Sequence, residues 1–313
     1  MKVAILGVWH VHAVAYAKEA AALGEVIGFF EKEEAFALPF AEKTGLHRFP
    51  TREALLKSDA EGVIVCSATA NHTEDILAAA NAGKAIFTEK VLALTDDECD
   101  LLATAIERAG VPFVISFPQR YQASRIAVRR VALSGELGKL NYLRFRNCHS
   151  GSTKGWLPAH FYNARECGGG AMIDLGAHGM YLAEWILGMP VEAHSAFTVS
   201  YSGKDSKNTD GVEDNAVTVM KYESGAIAVN ETGFVSDYAP MILEVHGEGG
   251  YVRAVGNSVV KCSAATEGRE VPVEVGENLP SPLAQFMTGK QLDGCTLRDA
   301  TALTRMMTLA YRH

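Results

Sequence analysis

The sequence has no Cys-x-x-Cys pair. Its six cysteines, Cys66, Cys99, Cys148, Cys167, Cys262 and Cys295, are widely spaced, which excludes a disulfide scaffold and predicts free thiols in a reducing compartment. No apolar run approaches the length needed to span a bilayer, and the run after Met1-Lys2 stops at Gly7, too short for a secretory signal. The cytoplasm is therefore the expected location. Positive charge is scarce as well: 29 Lys and Arg against 37 Asp and Glu leave a net charge of −8, with no basic stretch to offset it. Neither nucleic acid nor an anionic membrane is expected as a partner, and a small soluble molecule is the default. Internal repeats and low-complexity tracts are absent too. What 313 residues with a 48% apolar fraction do offer is enough material for two buried cores.

The first half alternates. A strand over 2–6 ends in Gly7, a helix follows over 11–23, and a strand over 25–30 ends in Glu31. Further strands are predicted over 62–66, 85–88 and 111–117, with helices over 73–82 and 95–109; Thr95-Asp-Asp-Glu98 opens the last helix as a capping box. This rhythm means a parallel sheet covered on both faces, with ligands at the carboxyl ends of its strands. Glu89 and Lys90 lie at one such end. After Phe117-Pro118 the pattern changes to a helix over 123–134, a strand over 140–147 and a polar, aromatic loop over 148–167. Strands then follow over 192–199, 215–222, 226–234, 241–246, 251–255, 258–264 and 269–275, with a polar loop over 202–211 and a closing helix over 297–312 capped by Thr296. Hairpin turns at 223–225 and 247–250 make this second sheet largely antiparallel. The expected fold class is α/β: a Rossmann dinucleotide-binding domain over 1–119, then an α/β domain over 120–313 with a large, open, mostly antiparallel sheet for substrate binding and oligomerisation.

The chemistry concentrates in Gly168-Gly-Gly-Ala-Met-Ile-Asp174-Leu-Gly-Ala-His178, a glycine run opening into an apolar helix. At helical spacing Asp174 and His178 share one face, so a carboxylate and an imidazole point into the same space. Gly176 and Gly179 disfavour a helix by roughly 1 kcal/mol each against alanine, which predicts that something packs closely on that turn. The plain alternative is a satisfied core ion pair. Gly7-Val8-Trp9-His10-Val11-His12 fills the place of a dinucleotide-binding turn but keeps only the first of its three glycines; Trp9 and His12 stand where the others belong. Glu31, about twenty residues on, is where such folds place an acid for the ribose hydroxyls. The His10-x-His12 spacing raises a metal site, but no third ligand stands at ligand spacing, and no metal is expected.

Taken together, these residues resemble the Gfo/Idh/MocA oxidoreductases over nearly the whole chain. Ala85-Ile-Phe-Thr-Glu89-Lys90-Val91 is similar to that family's Glu-Lys-Pro stretch, with Val91 in place of proline. Ser67-Ala-Thr69-Ala-Asn71-His72 is similar to its Thr-Pro-Asn-x-x-His segment near the nicotinamide, with Ala68 in place of proline, and Arg120-Tyr121 resembles the start of its second domain. Gly169 to His178 matches its most diagnostic element in full. The resemblance implies NAD or NADP as cofactor, and Lys90, Asp174 and His178 as the catalytic group. It further implies Gly7, Trp9, His10, His12, Glu31, Ser67, Thr69, His72 and Glu89 as cofactor-binding positions, and an open sheet that forms a homodimer or homotetramer.

The expected activity is NAD(P)-dependent hydride transfer to or from a sugar, polyol or related hydroxy compound. In it His178 takes the hydroxyl proton, Lys90 donates to the developing alkoxide and Asp174 orients a neighbour. NAD is favoured over NADP because Glu31 would repel a 2′-phosphate, although Lys32 beside it softens that bias. Arg120, Trp156, His160, Tyr162 and Arg165 are the expected substrate-binding residues, since rings cover C–H faces and polar groups pair with hydroxyls. Two alternatives remain: a non-catalytic sugar- or cofactor-binding regulatory module of the same fold, and a redox-assisted glycoside-cleaving enzyme.

Overall fold

The computed structural model describes residues 1–201, 205–290 and 294–312, so the polar loop expected over 202–211 has its residues 202–204 outside the described ones. Two compact units emerge, one of 1–117 with 280–304, the other of 118–279 with the residues from Arg305 on.

In chain order the first unit runs β1 (Lys2–Leu6), α1 (Ala13–Leu23), β2 (Glu25–Phe30), α2 (Glu34–Thr44), α3 (Arg52–Leu56), β3 (Gly62–Val65), α4 (Thr69–Asn81), β4 (Ala85–Thr88), α5 (Asp96–Ala109) and β5 (Phe113–Ile115). The five strands form a parallel sheet in the order β2-β1-β3-β4-β5. All residues of β3 and β4 are buried, as strands covered on both faces must be. The capping box opens α5 as expected, with Glu98 N–H donating to Thr95 Oγ1 at 3.2 Å. β5 is shorter than the expected 111–117, and α4 begins at Thr69, ahead of the expected residue 73.

The second unit runs α6 (Ala123–Ala132), β6 (Leu140–Cys148), α7 (Ala164–Cys167), a π-helical turn over Met172–Gly176, α8 (Ala177–Leu187), β7 (Glu192–Thr198), β8 (Asn215–Lys221), β9 (Ile227–Gly233), β10 (Ile242–Gly247), β11 (Gly250–Val255), β12 (Ser258–Ser263) and β13 (Val271–Pro272). These strands form an eight-stranded sheet in the order β13-β12-β11-β10-β6-β9-β8-β7, antiparallel except where β6 pairs with β9 in parallel. The expected edge strand over 269–275 shrinks to two residues; Pro272 has no N–H to extend the ladder. α6 and α8 cover one face, where Leu143, Phe145, Ala228, Leu243, Val245, Val252 and Ala254 are fully buried. The other face carries Arg144 paired with Glu231, together with half-exposed Val217, Val219 and Ile227.

A split at 119/120 therefore misplaces residues 280–304. That segment holds α9 (Pro282–Thr288) and the start of α10 (Leu297–Tyr311), and it belongs to the first unit for visible reasons. Phe286 meets the Phe87 ring at 5.8 Å, and Ile115 N–H donates to Cys295 O at 3.0 Å, which extends the hydrogen bonding of β5. Among the described residues no helix is long and apolar enough to cross a membrane.

Candidate active site

In the first unit the turn after β1 is held by its own backbone. Gly7, at φ +77°, donates to Phe30 O (2.8 Å), and His10 N–H donates to Cys66 O (2.9 Å). A side chain at Gly7 would collide with Ser67, which is why the first glycine is kept. Glu31 lies against the turn: its carboxylate accepts Val8 N–H at 2.9 Å and Glu33 N–H at 3.0 Å. The helix that follows has no side-chain cap at His12 and no acid in its first turn. Its first N–H groups and the strand-end acid are the groups that a dinucleotide needs, donors for the pyrophosphate and an acceptor for the ribose hydroxyls, so these residues fit NAD(P) despite the missing glycines. Trp9 and His10 are nearly buried and His12 is half-exposed.

The structure ties this turn to β4. His12 Nδ1 lies 2.7 Å from Glu89 Oε1, and Tyr16 donates to the same carboxylate while its oxygen lies 2.7 Å from Ser116 Oγ. Glu89 is 1% exposed, and burial alone would raise its carboxyl; the imidazoles of His10 and His12 and the neighbouring Lys90 hold it well below the usual carboxylate range instead. The possible ligand atoms of His10, His12 and Glu89 fall within 4.8 Å of one another. The sequence offered only two of these three, because Glu89 is 77 positions from His12. A cation there would have to displace the His12–Glu89 bond and the bond from His12 N–H to His10 Nδ1.

Lys90 is 6% exposed rather than a solvated strand-end lysine, and the peptide joining it to Val91 is cis. His72, on α4, is fully buried and donates from Nδ1 to Val91 O at 2.9 Å; burial pushes its imidazole below the ordinary 6.5. Its ring thus supports the segment after Lys90. Ser67 is buried and Thr69 partly so, at the start of α4.

In the second unit the Asp174–His178 stretch departs from a regular α-helix. Met172–Gly176 is a π-helical turn and α8 starts only at Ala177, so the i, i+4 spacing expected of an α-helix does not describe the pair. Single π-turns of this kind often mark functional positions. Glu213 caps its entry, accepting Gly170 N–H at 2.9 Å and Met172 N–H at 3.0 Å, and Tyr311 accepts Ile173 N–H at 3.2 Å. Asn230, 1% exposed on β9, donates to Gly176 O at 2.7 Å. Each glycine makes room for one of these partners. A Cβ at Gly169 would collide with Tyr311, at Gly170 with Glu213 O, at Gly176 with Met172, and at Gly179 with Asn230. The close packing expected at Gly176 and Gly179 is therefore found, and Asn230 is central to it.

His178 is nearly buried, with Nδ1 2.7 Å from the hydroxyl of Tyr181, whose oxygen accepts Gln119 N–H at 3.1 Å. Asp174 is partly exposed. Arg120 is 2% exposed, its guanidinium donating to Tyr181 O at 2.7 Å and Glu184 Oε2 at 2.6 Å, so it braces the helix that carries His178. Over 148–167, Trp156 is 54% exposed, Arg165 is exposed and His160 partly buried. Tyr162 is buried, with its hydroxyl 2.7 Å from Ser152 Oγ. Sequence reasoning missed Tyr181, Glu213, Asn230 and Tyr311. Tyr181 had a local signal, three residues after His178; the others come from distant strands and helices.

Both units resemble known proteins. Residues 1–117 match the oxidoreductase family with an NAD-binding Rossmann fold, and residues 126–253 match the GFO/IDH/MocA C-terminal domain. The chain is 28% identical over 234 residues to 1,5-anhydro-D-fructose reductase of Ensifer adhaerens, covering 72% of this chain and 67% of that protein. It is 28% identical over 266 residues to inositol 2-dehydrogenase 2 of Saccharopolyspora erythraea, covering 78% and 74%. An oxidoreductase from Agrobacterium radiobacter, solved with NAD+, L-tartaric acid and magnesium, shares the fold with a TM-score of 0.80 at 16% identity, over 99% of this chain and 95% of that one. With both of its halves matched in order, the chain belongs to the Gfo/Idh/MocA family of NAD(P)-dependent sugar and polyol oxidoreductases.

Proposed function

We propose that this chain oxidises a secondary alcohol of a sugar or cyclic polyol with NAD, using Lys90, Asp174 and His178. The observation that carries the reading is the environment of His178. Its Nδ1 faces the Tyr181 oxygen, and that oxygen already accepts a backbone N–H. With hydrogen on Nδ1 donated to Tyr181, Nε2 keeps a lone pair and takes the hydroxyl proton. Lys90 holds positive charge for an alkoxide, and Asp174 accepts from a neighbouring hydroxyl. Glu31 and the N-terminus of α1 would hold the dinucleotide, whose nicotinamide supplies the hydride acceptor when bound. Arg120 serves as a brace, while Trp156, His160 and Arg165 border the substrate.

NAD is preferred over NADP because the Glu31 carboxylate pairs with two hydroxyls and repels a phosphate. The sheet face bearing Val217, Val219 and Ile227 is assigned to self-association as a dimer or a tetramer, and the free cysteines suit the cytoplasm. Sedimentation at micromolar concentration checks the first of these; a monomer would contradict it. The function itself is tested by following reduced nicotinamide with NAD and NADP against inositols, glucose and anhydrosugars. Tight NAD binding without turnover of any of them would favour a binding module instead.

A further inference from the structure

β6 runs directly into His149, a residue that the reading above leaves unused. Its backbone is fixed, with its N–H donating to Gly233 O at 2.9 Å and its O accepting from Ser236 N–H at 3.1 Å. The imidazole stacks on Phe234, centroids 5.0 Å apart and planes 10° from parallel, and leans on the Trp156 indole at 4.6 Å. Gly151 N–H donates to Nδ1 at 3.1 Å, so Nδ1 is an acceptor and the neutral ring carries its proton on Nε2. Gly151 is needed for this closure: a Cβ there would lie 2.9 Å from the imidazole Cε1. Burial pushes His149 below the ordinary 6.5 even though the charge of Asp174 acts to raise it, so the ring is neutral at pH 7. The outcome is an N–H donor on a half-buried ring whose one hydrogen bond among the described residues is at Nδ1, and the ring feels Asp174.

Trp156 beside it is 54% exposed, whereas Trp9 is 8% exposed. The turn presenting it is fastened at several points. Lys154 pairs with Asp237 at 2.5 Å, Ser150 Oγ donates to Asp237 at 3.2 Å, and Leu157 N–H donates to Gly151 O at 3.2 Å. An exposed indole held in place against a fixed donor is costly to leave in water and well suited to a ring with one apolar face.

We infer that His149 and Trp156 form a shelf for an uncharged cyclic polyol. The indole covers the C–H face of the ring, His149 Nε2–H donates to one hydroxyl, and Asp174 accepts from another. The inference rests on the dehydrogenase reading for the kind of substrate, and adds the recognising groups and the exclusion of acids. A carboxylate on the sugar would face Asp174 with no cation on His149 to offset it.

Tryptophan emission titrated with scyllo-inositol, myo-inositol, D-glucose and D-glucuronate tests it in the wild type, Trp156→Leu, His149→Phe and His149→Gln. At least one neutral ring should shift wild-type emission, and the shift should vanish in Trp156→Leu. In His149→Phe, which keeps the stack and loses the donor, its Kd should rise roughly tenfold. His149→Gln, which keeps an N–H, should recover most of that loss, and glucuronate should bind more weakly than glucose. No response to any neutral ring, or an unchanged Kd in His149→Phe, overturns the shelf. Parallel turnover with NAD separates the two readings. Reduced nicotinamide formed with unaltered KM in both His149→Phe and Trp156→Leu overturns the shelf and leaves the dehydrogenase standing. Ring binding that depends on both residues, without turnover in the wild type, supports the shelf and overturns the dehydrogenase.

Discussion

The turn at 7–12 and the run at 168–179 both lead from glycine into a helix, and they achieve it by opposite means. In the first, side chains occupy the places of two glycines, and hydrogen bonds from His12 and Tyr16 to buried Glu89 hold the turn. In the second, glycines 169, 170, 176 and 179 stand wherever Tyr311, Glu213, Met172 or Asn230 approaches the backbone. Rigidity in the first comes from charge and in the second from the absence of volume. The first is therefore expected to respond to pH and the second to a single methyl group.

The largest effect should come from volume. In Gly170→Ala the new Cβ meets the backbone carbonyl of Glu213, which has no rotamer by which to retreat. A loss of about 3 kcal/mol in urea unfolding is expected, at the upper end of what overpacking costs. A variant as stable as the wild type would mean that the glycine run is not a packing device.

A smaller effect should appear in the first turn. The Glu89 carboxyl is depressed in the folded chain below its ordinary 4.5. Its contribution is therefore complete above that value and is lost as pH falls from 4.5 towards the depressed pKa, because the unfolded chain takes up the proton first. Glu89→Gln should be less stable than the wild type at pH 7, with the difference narrowing below pH 4.5. A difference that does not vary between pH 7 and pH 3 contradicts the charge-held turn.

The smallest effect concerns Glu31. Glu31→Ala removes the acceptor for Val8 N–H and relieves the repulsion of a 2′-phosphate. Fluorescence titration should show the NAD-over-NADP preference narrowing several-fold; a wild type that binds NADP more tightly would reverse the assignment.

Much of this comparison was legible in the sequence, because strand–helix alternation and glycine placement are local signals. Gly176 and Gly179 announced a close neighbour, but Asn230 is 54 positions from Gly176 and Tyr311 is 138 from Ile173, and nothing local identifies either. The π-turn was hidden because one extra residue in a turn scarcely disturbs an apolar pattern. Glu89 was noticed as a strand-end acid, yet its bond to His12 follows from the fold alone. The placement of 280–304 had a readable start, Ser281 capping a helix with Pro282 at its first position, but which core that helix covers is a tertiary matter. Arg120 was expected to bind substrate, and its burial against Tyr181 and Glu184, which makes it a brace instead, required the structure.

The central claim is that His178 is the base and that Tyr181 sets its tautomer. The direct test is a pH–rate profile of the wild type, His178→Ala and Tyr181→Phe with NAD and a polyol found in the panel, beside NAD titrations of all three. Turnover should rise through an imidazole pKa in the wild type, fall roughly 10²-fold or more and lose that limb in His178→Ala, and fall roughly tenfold in Tyr181→Phe, with NAD affinity unchanged throughout. A wild-type rate and pH limb surviving in His178→Ala would contradict the account.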